Sequence, residues 1–446
     1  MAAGGRKAGT RAVAAVRRRA AGRAGAGRAR VSVAATVGAA LLLAACGAPP
    51  AAPLAPPVVL PSPDALPALH PPIAWRAPIA APEEVSVAPD GSVVAGLSYS
   101  STGGQSLWAF DAAGGLVPLG GAPGSAVFAL SGGIIVVGPG VSDPPGPVSI
   151  FSSIGVRLWQ GQAVGPIAAS GDPSGSRLAV VDDGSGTGRE WAMLPGGALR
   201  LLQPRGMPGV APSSTVQFDA AGSALVLGAR TAELLSPAGV PRWTVHLSAA
   251  GPSGAVVLDR DGAGVTAAVS SARAEVYQFT VTGGGQPNVL WSQPLPAGSA
   301  PDLVAAPGGR VAAVGAGGPA NLALYRERDG SRVWQDTVSP PAGAAAPPVI
   351  GAVAFTAVGG SVLSVTGCDG AGAPCLVLLK PGGAALGEVA LPVGTAVTLA
   401  ADGLGAAAVL PAARSGGPDS LEWIDLAGLW AQLAPSAAQV APRASS

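Results

Sequence analysis

Few side chains in this 446-residue chain have the chemistry to hold a metal or attack a substrate, and their spacing narrows the choice further. Histidine occurs only at His70 and His246, and neither has a Cys or His at metal-ligand spacing, so no metal site is expected. Asp259-Arg260-Asp261-Gly262 has the start of a calcium loop but lacks the further acidic oxygens such a site needs, which leaves an Asp-Gly turn. The run GSGTGR at 184–189 has the glycines of a phosphate loop without its Lys or its following helix, so it reads as an inter-strand loop. No serine has a His and an acid that the sequence can nominate as partners, and nucleophilic catalysis lacks support. What remains is three cysteines, Cys46, Cys368 and Cys375, and a recurring tryptophan.

Cys368 and Cys375 bracket the six-residue loop DGAGAP between two apolar runs, GGSVLSVTG and LVLLK. In a hairpin such positions can face each other across neighbouring strands, within disulfide reach. In an exported chain a local disulfide is expected, with a free or metal-binding pair as the alternative. Its short span limits the entropy it would remove from the unfolded state.

Export is read from the N-terminus. Residues 1–46 carry nine basic groups and no acidic one, and residues 31–43 form an uncharged apolar run of thirteen. A membrane-crossing helix needs about 20 apolar residues, so this run reads as the core of an export signal. It closes in Leu43-Ala44-Ala45-Cys46, followed by Gly47. That stretch resembles the lipobox of bacterial lipoproteins: an apolar residue at −3, small residues at −2 and −1, and an obligatory Cys. The resemblance implies a diacylglyceryl group on the Cys46 sulfur, cleavage just before Cys46 and N-acylation of the new terminus. One acyl chain binds a bilayer only marginally, whereas two or three hold firmly. The alternatives are an uncleaved signal anchor or an ordinary secretory signal. No other cofactor is expected.

Residues 47–72 are Ala and Pro with little else, a composition that favours extended polyproline II and builds no core. The expected organisation is a signal peptide at 1–45, a lipidated Cys and tether at 46–72, a folded part at 73–434 and a flexible tail at 435–446. Beyond Cys46 the chain has 17 basic and 25 acidic residues, so the formal net charge of +1 conceals an acidic exported portion. That balance offers no basic patch for a nucleic-acid backbone, and no nucleic-acid partner is expected.

The elements that must carry any site repeat. Trp159, Trp243, Trp291, Trp334 and Trp430 sit in one small context (LWQGQ, RWTVH, LWSQP, VWQDT, LWAQL) at gaps of 84, 48, 43 and 96. The two large gaps read as doubled units, whose missing places fall at Leu202 and Gly387; Val117 extends the series backward, and Trp75 in AWRAP precedes it. A second column of turn glycines, Gly91, Gly132, Gly175, Gly222, Gly262, Gly308, Gly359 and Gly403, runs 21 to 29 residues ahead of the first. Within a unit the pattern is strand, Gly turn, strand, loop, strand, Gly turn, strand. Four short strands per 40 to 50 residues is the blade of a β-propeller.

The expected fold is therefore all-β, a propeller of four-stranded antiparallel blades, eight in number, with seven as the alternative. Asp329-Gly330-Ser331-Arg332-Val333-Trp334 resembles a hairpin of quinoprotein-like (PQQ-type) propellers, and Leu107-Trp108-Ala109-Phe110-Asp111 resembles their third strand. Ala88-Pro89-Asp90-Gly91 is closer to the turn of TolB-like and WD40-like propellers. The adjacent Cys pair of the redox members is absent, and no calcium and quinone ligand set is recognisable. Ring closure is expected from IAWRAPI, around Trp75, pairing with the last blade near LEWIDLAGLWAQL, with packing as a loose outer strand as the alternative. The Trp column reads as wedges between adjacent blades, where a large ring buries well, in preference to platforms for a flat ligand.

The functional expectation is an extracytoplasmic lipoprotein anchored to the cell membrane, or to an outer membrane in a cell with two. Its propeller is expected to act without catalysis, as a binding or scaffold module for protein, peptide or glycan. The alternatives are a glycan or peptide hydrolase or lyase working at the central entrance, and a sensor or substrate-capturing lipoprotein.

Overall fold

The computed structural model describes residues 58–60 and 66–438, apart from residues 81, 100–104, 142, 203–205, 211–213, 219–221, 228–230, 247–255, 259–264, 270–274, 282–286, 295–299, 307–309, 317–320, 327–328, 339–346, 370–371 and 412–418. The signal peptide and Cys46 lie outside the described residues.

The described chain forms antiparallel sheets in sequence order, numbered 1 to 8 here. Their inner strands are Pro82–Val87, Ala126–Leu130, Ile167–Gly171, Thr215–Phe218, Val256–Leu258, Ala300–Ala306, Val349–Phe355 and Ala396–Leu399. Each touches the next, and the last touches the first, so the sheets close into a ring. A sheet wedged between two neighbours is dry on both faces, which explains why several strands are apolar throughout instead of alternating. Ile134–Gly138 is buried at all five positions and Pro374–Leu379 at all six. The core is accordingly a set of inter-sheet layers: Val93, Ala95 and Leu97 of sheet 1 pack on Val127, Ile135, Val137 and Phe151 of sheet 2.

The number of complete blades departs from expectation. Seven sheets have the four-stranded antiparallel order, whereas sheet 1 has three strands, Pro82–Val87, Val93–Tyr99 and Gln105–Asp111. The expected eight four-stranded blades are therefore corrected to seven. The cause is local: the turn at 112–115 starts a fourth strand, which pairs only through a Phe110–Leu116 bridge and the Val117 amide. Pro118 follows, has no N–H to continue a ladder, and ends it.

Closure comes from both chain ends. Ile73–Ile79 is the outermost strand of sheet 8 and pairs antiparallel with Asp419–Asp425, with Trp75 opposite Trp423 and Ala77 opposite Leu421. The residues before it also follow the rim. Val58–Leu60 lies parallel to the outer strand of sheet 6 as a fifth strand. At sheet 7, Leu69 N donates to Glu388 O and Glu388 N donates to Pro67 O. The described part of the 46–72 segment thus lies on the outer edges of sheets 6 and 7, ahead of its strand in sheet 8.

After sheet 8 the chain forms the helix Leu426–Ala438, which continues past residue 434. Leu426, Leu429, Trp430 and Leu433 stand at helical spacing and join one cluster with Leu376, Leu378 and Ile424. Asp425 caps it, its Oδ1 accepting from Gly428 N at 3.0 Å.

Candidate functional site

The tryptophans join neighbouring sheets. Trp75, on the outermost strand of sheet 8, donates from Nε1 to Ala112 O at 3.2 Å and lies against Gly114 in the third turn of sheet 1. Trp291 of sheet 5 covers Gly330 and stacks near Tyr325 of sheet 6, with ring centroids 6.1 Å apart. Trp334 of sheet 6 donates to Pro381 O of sheet 7 at 3.3 Å. Trp159 of sheet 2 meets Trp191 of sheet 3 edge-on at 4.9 Å, with the Arg189 guanidinium over its ring. Trp243 occupies the outermost strand of sheet 4, opposite Leu234. Trp430 differs, standing on the helix and donating to Gly403 O at 3.3 Å; the outer-strand place in sheet 8 belongs to Trp75.

The places filled in without a Trp also mark outer strands or their remnants. Gly387 lies in Ala385–Ala390, Leu202 directly follows Leu199–Leu201, and Val117 follows the Leu116 bridge. The second glycine column occupies the first hairpin turns. Gly91, Gly132, Gly175, Gly222, Gly359 and Gly403 have positive φ, and Gly262 and Gly308 lie outside the described residues. These turns touch around one face: Asp402 N donates to Pro89 O, and Gly132 N donates to Asp90 Oδ2 at 2.8 Å.

Charged groups inside the ring serve the same end. Arg177 pairs with the fully buried Glu190 at 3.0 Å and lies under Gly222 of sheet 4. Asp182 accepts from the backbone N–H groups of Val164, Gly165, Gly184 and Ser185 at 2.8 to 3.3 Å, tying the crossover from sheet 2 to the second turn of sheet 3. Burial pushes its carboxyl pKa up, but these hydrogen bonds more than offset it and hold the carboxyl below the usual range. Cys368 and Cys375 form a disulfide across the loop of sheet 7, with Cα atoms 6.0 Å apart, inside the layer facing sheet 6.

Nothing in these contacts assembles a reaction centre among the described residues. No group of three His, Cys, Asp or Glu side chains there could hold a metal. His70 is exposed just ahead of Ile73, while the His246 side chain and the 259–262 turn lie outside the described residues. On the inner strands the one ionisable side chain described is Glu84, whose pKa burial raises. The run at 184–189 forms the turn leading into Thr187–Met193, with no helix after it.

Among the described residues, two spaces stand out as candidate ligand sites. The first lies between sheets 2 and 3, lined by Trp159, Gln162, Asp182, Arg189 and Trp191, and measures about 30 Å³. That is the room of a water molecule and is too small to enclose a sugar ring. The second is a groove of about 310 Å³ along the outer edge of sheet 1, between residues 105–107 and 116–124. It exists because the fourth strand stops: beyond Val117 the chain leaves the sheet, and the Pro118 carbonyl packs against Gly155 in a turn of sheet 2. Leu116 at its mouth is 69% exposed. The sequence reading passed over this edge, although Pro118 two residues after the bridge was its signal.

No protein-family model matches the chain, and no curated protein matches it. Among solved structures it is similar to the Dos1 propeller, at 12% identity over 80% of this chain and 95% of that one, with a TM-score of 0.53. It is also similar to Sqt1 from Chaetomium thermophilum, at 12% identity over 80% of this chain and all of that one, again at 0.53. BamB from Moraxella catarrhalis matches at 16% identity over 80% and 98%, with a TM-score of 0.41. The fold is a β-propeller. It agrees with the WD40-like architecture expected from the repeat; quinone-type specifics are not carried by these likenesses.

Proposed function

We propose that this chain is a lipoprotein anchored outside the cytoplasm through acyl groups on Cys46, and that its propeller works as a non-catalytic binding or scaffold module for a protein or peptide. The observation that carries the binding reading is the open outer edge of sheet 1, a groove on a ring whose other sheets are complete. The ring is held around that edge because the Trp75 joint from sheet 8 and the turn contacts of sheet 1 with sheets 8 and 2 fix neighbouring sheets to one another. Support for the anchor is the sequence Leu43-Ala44-Ala45-Cys46 after a short apolar run.

The test compares the full chain with Cys46→Ala in membranes, by acyl labelling, fractionation and crosslinking followed by pull-down. The reading expects Cys46→Ala to lose the acyl label and membrane retention while its propeller still crosslinks to the same protein. Unchanged labelling and retention would sink the anchor, and the absence of any specific crosslinked protein would sink the binding role.

A further inference from the structure

Glu233 is a buried carboxyl that the joints between sheets do not use. It stands on Thr231–Leu235, the third strand of sheet 4, opposite Val226 on one side and Thr244 on the other, and is 8% exposed. Among the described residues nothing hydrogen-bonds or ion-pairs with it. What covers it is the connection from sheet 3 to sheet 4. In the turn Met207-Pro208-Gly209-Val210, Gly209 has φ +72°, and a Cβ there would run into Glu233 Oε2. Met207 N docks the turn by donating to Gly188 O of sheet 3 at 2.9 Å. The Met207 side chain is buried in one apolar cluster with Val181 of sheet 3 and Val216 and Val226 of sheet 4, and Val210 packs against it. Gly188 makes room for this, since a Cβ there would meet Val210 Cγ2 at 2.9 Å.

No described charge compensates the carboxyl. The turn itself carries none, the Arg189 guanidinium beside Gly188 lies over Trp159, and Arg177 is paired with Glu190. Arg242, at the bulge of the outer strand Pro241–His246, is exposed and makes no ion pair with Glu233; the His246 side chain lies outside the described residues. A neutral carboxyl tolerates such a cover, whereas a carboxylate there loses hydration and gains no donor. Burial accordingly pushes the Glu233 pKa up.

We propose that the turn 207–210 is a pH-sensitive lid: it stays docked over protonated Glu233, and ionisation lifts it, admitting water to the carboxylate and baring the apolar layer between sheets 3 and 4. The closed state is the one with the raised pKa, so it is fully favoured below the ordinary Glu range and loses ground as pH rises through the raised value. The lid depends on neither the anchor nor the groove of sheet 1.

The test follows the Met207 amide of the full chain by hydrogen exchange from about pH 4 to pH 8, corrected for intrinsic exchange. Its protection should fall about tenfold across that range, while the Leu202 amide, which donates to Glu190 O outside the turn, keeps its own. Peroxide gives a second reading on the natural protein: Met207 sulfur should oxidise faster at the upper end by a similar factor, and the half-buried Met193 should not change. Glu233→Gln keeps the shape of the side chain and cannot ionise, so both responses should vanish. Flat profiles at Met207 in the natural chain overturn the proposal. The same response in Glu233→Gln overturns it too and moves the titration to another group, His246 first. If that variant does not fold, the natural chain still decides, because exchange and oxidation at Met207 that fail to change together with pH refute the lid.

Discussion

Two glycines with nearly the same backbone allow the Trp joint to be weighed. Gly114 has φ +83°, and a Cβ there would meet Trp75 Cγ at 2.7 Å and Cβ at 2.9 Å. Gly197 has φ +82° in the equivalent turn of sheet 3, with nothing within 4 Å of such a Cβ. Gly197→Ala should therefore cost only the left-handed backbone, about 1–2 kcal/mol. Gly114→Ala carries the same cost plus overpacking against an indole held by its bond to Ala112, which adds about 1–3 kcal/mol. Urea denaturation followed by far-UV circular dichroism measures both, provided the slope m stays constant between variants. Repeating Gly114→Ala in a Trp75→Ala background removes the obstacle, so the increment should fall to that of Gly197→Ala. If the two glycines cost the same in the natural background, or if removing Trp75 leaves the Gly114 increment unchanged, the wedge has no energetic content.

Other outcomes follow from buried charge and crosslinking. Arg177→Ala removes the guanidinium paired with the buried Glu190 carboxylate and should cost about 3–5 kcal/mol in equilibrium unfolding, whereas Arg177→Met with Glu190→Leu should come close to neutral. Asp182 has a lowered folded-state pKa, so its contribution is complete above the unfolded value of about 3.9 and disappears as pH falls through the folded one. Asp182→Asn should therefore lower stability at pH 7 and make the acid limb of a stability-versus-pH curve shallower; an unchanged limb would refute the assignment. Replacing Cys368 and Cys375 with Ala should cost about 2–3 kcal/mol for so short a loop, and reductant should then destabilise the natural chain but not the variant.

How far the sequence could be read depends on which atoms do the holding. Turn glycines such as Gly91 and Gly175 and the outer-strand tryptophans repeat because each sheet meets the same steric demand, so a periodic signal survives. The pairing of IAWRAPI with the last sheet and the Cys368–Cys375 bridge were legible for the same reason, as side-chain types at informative spacing. Edges are held by backbone groups that every residue possesses. Val58–Leu60 is therefore hidden in a tract whose Ala and Pro content reads as a spacer, and the sheet 1 groove is hidden behind turn glycines like those of complete sheets. Trp430 carries the strand-like context LWAQL, but the Leu426, Leu429, Leu433 spacing around it is helical, and the longer period prevails. The Arg177–Glu190 pair joins adjacent strands thirteen residues apart in sequence, and only the register brings the two together.

The pairing of Trp75 with Trp423 also sets a schedule. The first strand of the ring finds its partner only when the last is present, after almost the whole folded chain has been made. Closing so long a loop adds little free energy, since the cost rises only logarithmically with length, but contacts so distant in sequence slow folding. Until then Ile73–Ile79 and the inner faces of sheets 1 and 8 wait unsatisfied, at risk of pairing with whatever strand arrives first. A chain truncated before residue 419 would never resolve that state, so the integrity of the C-terminus decides whether Ile73–Ile79 finds its native place.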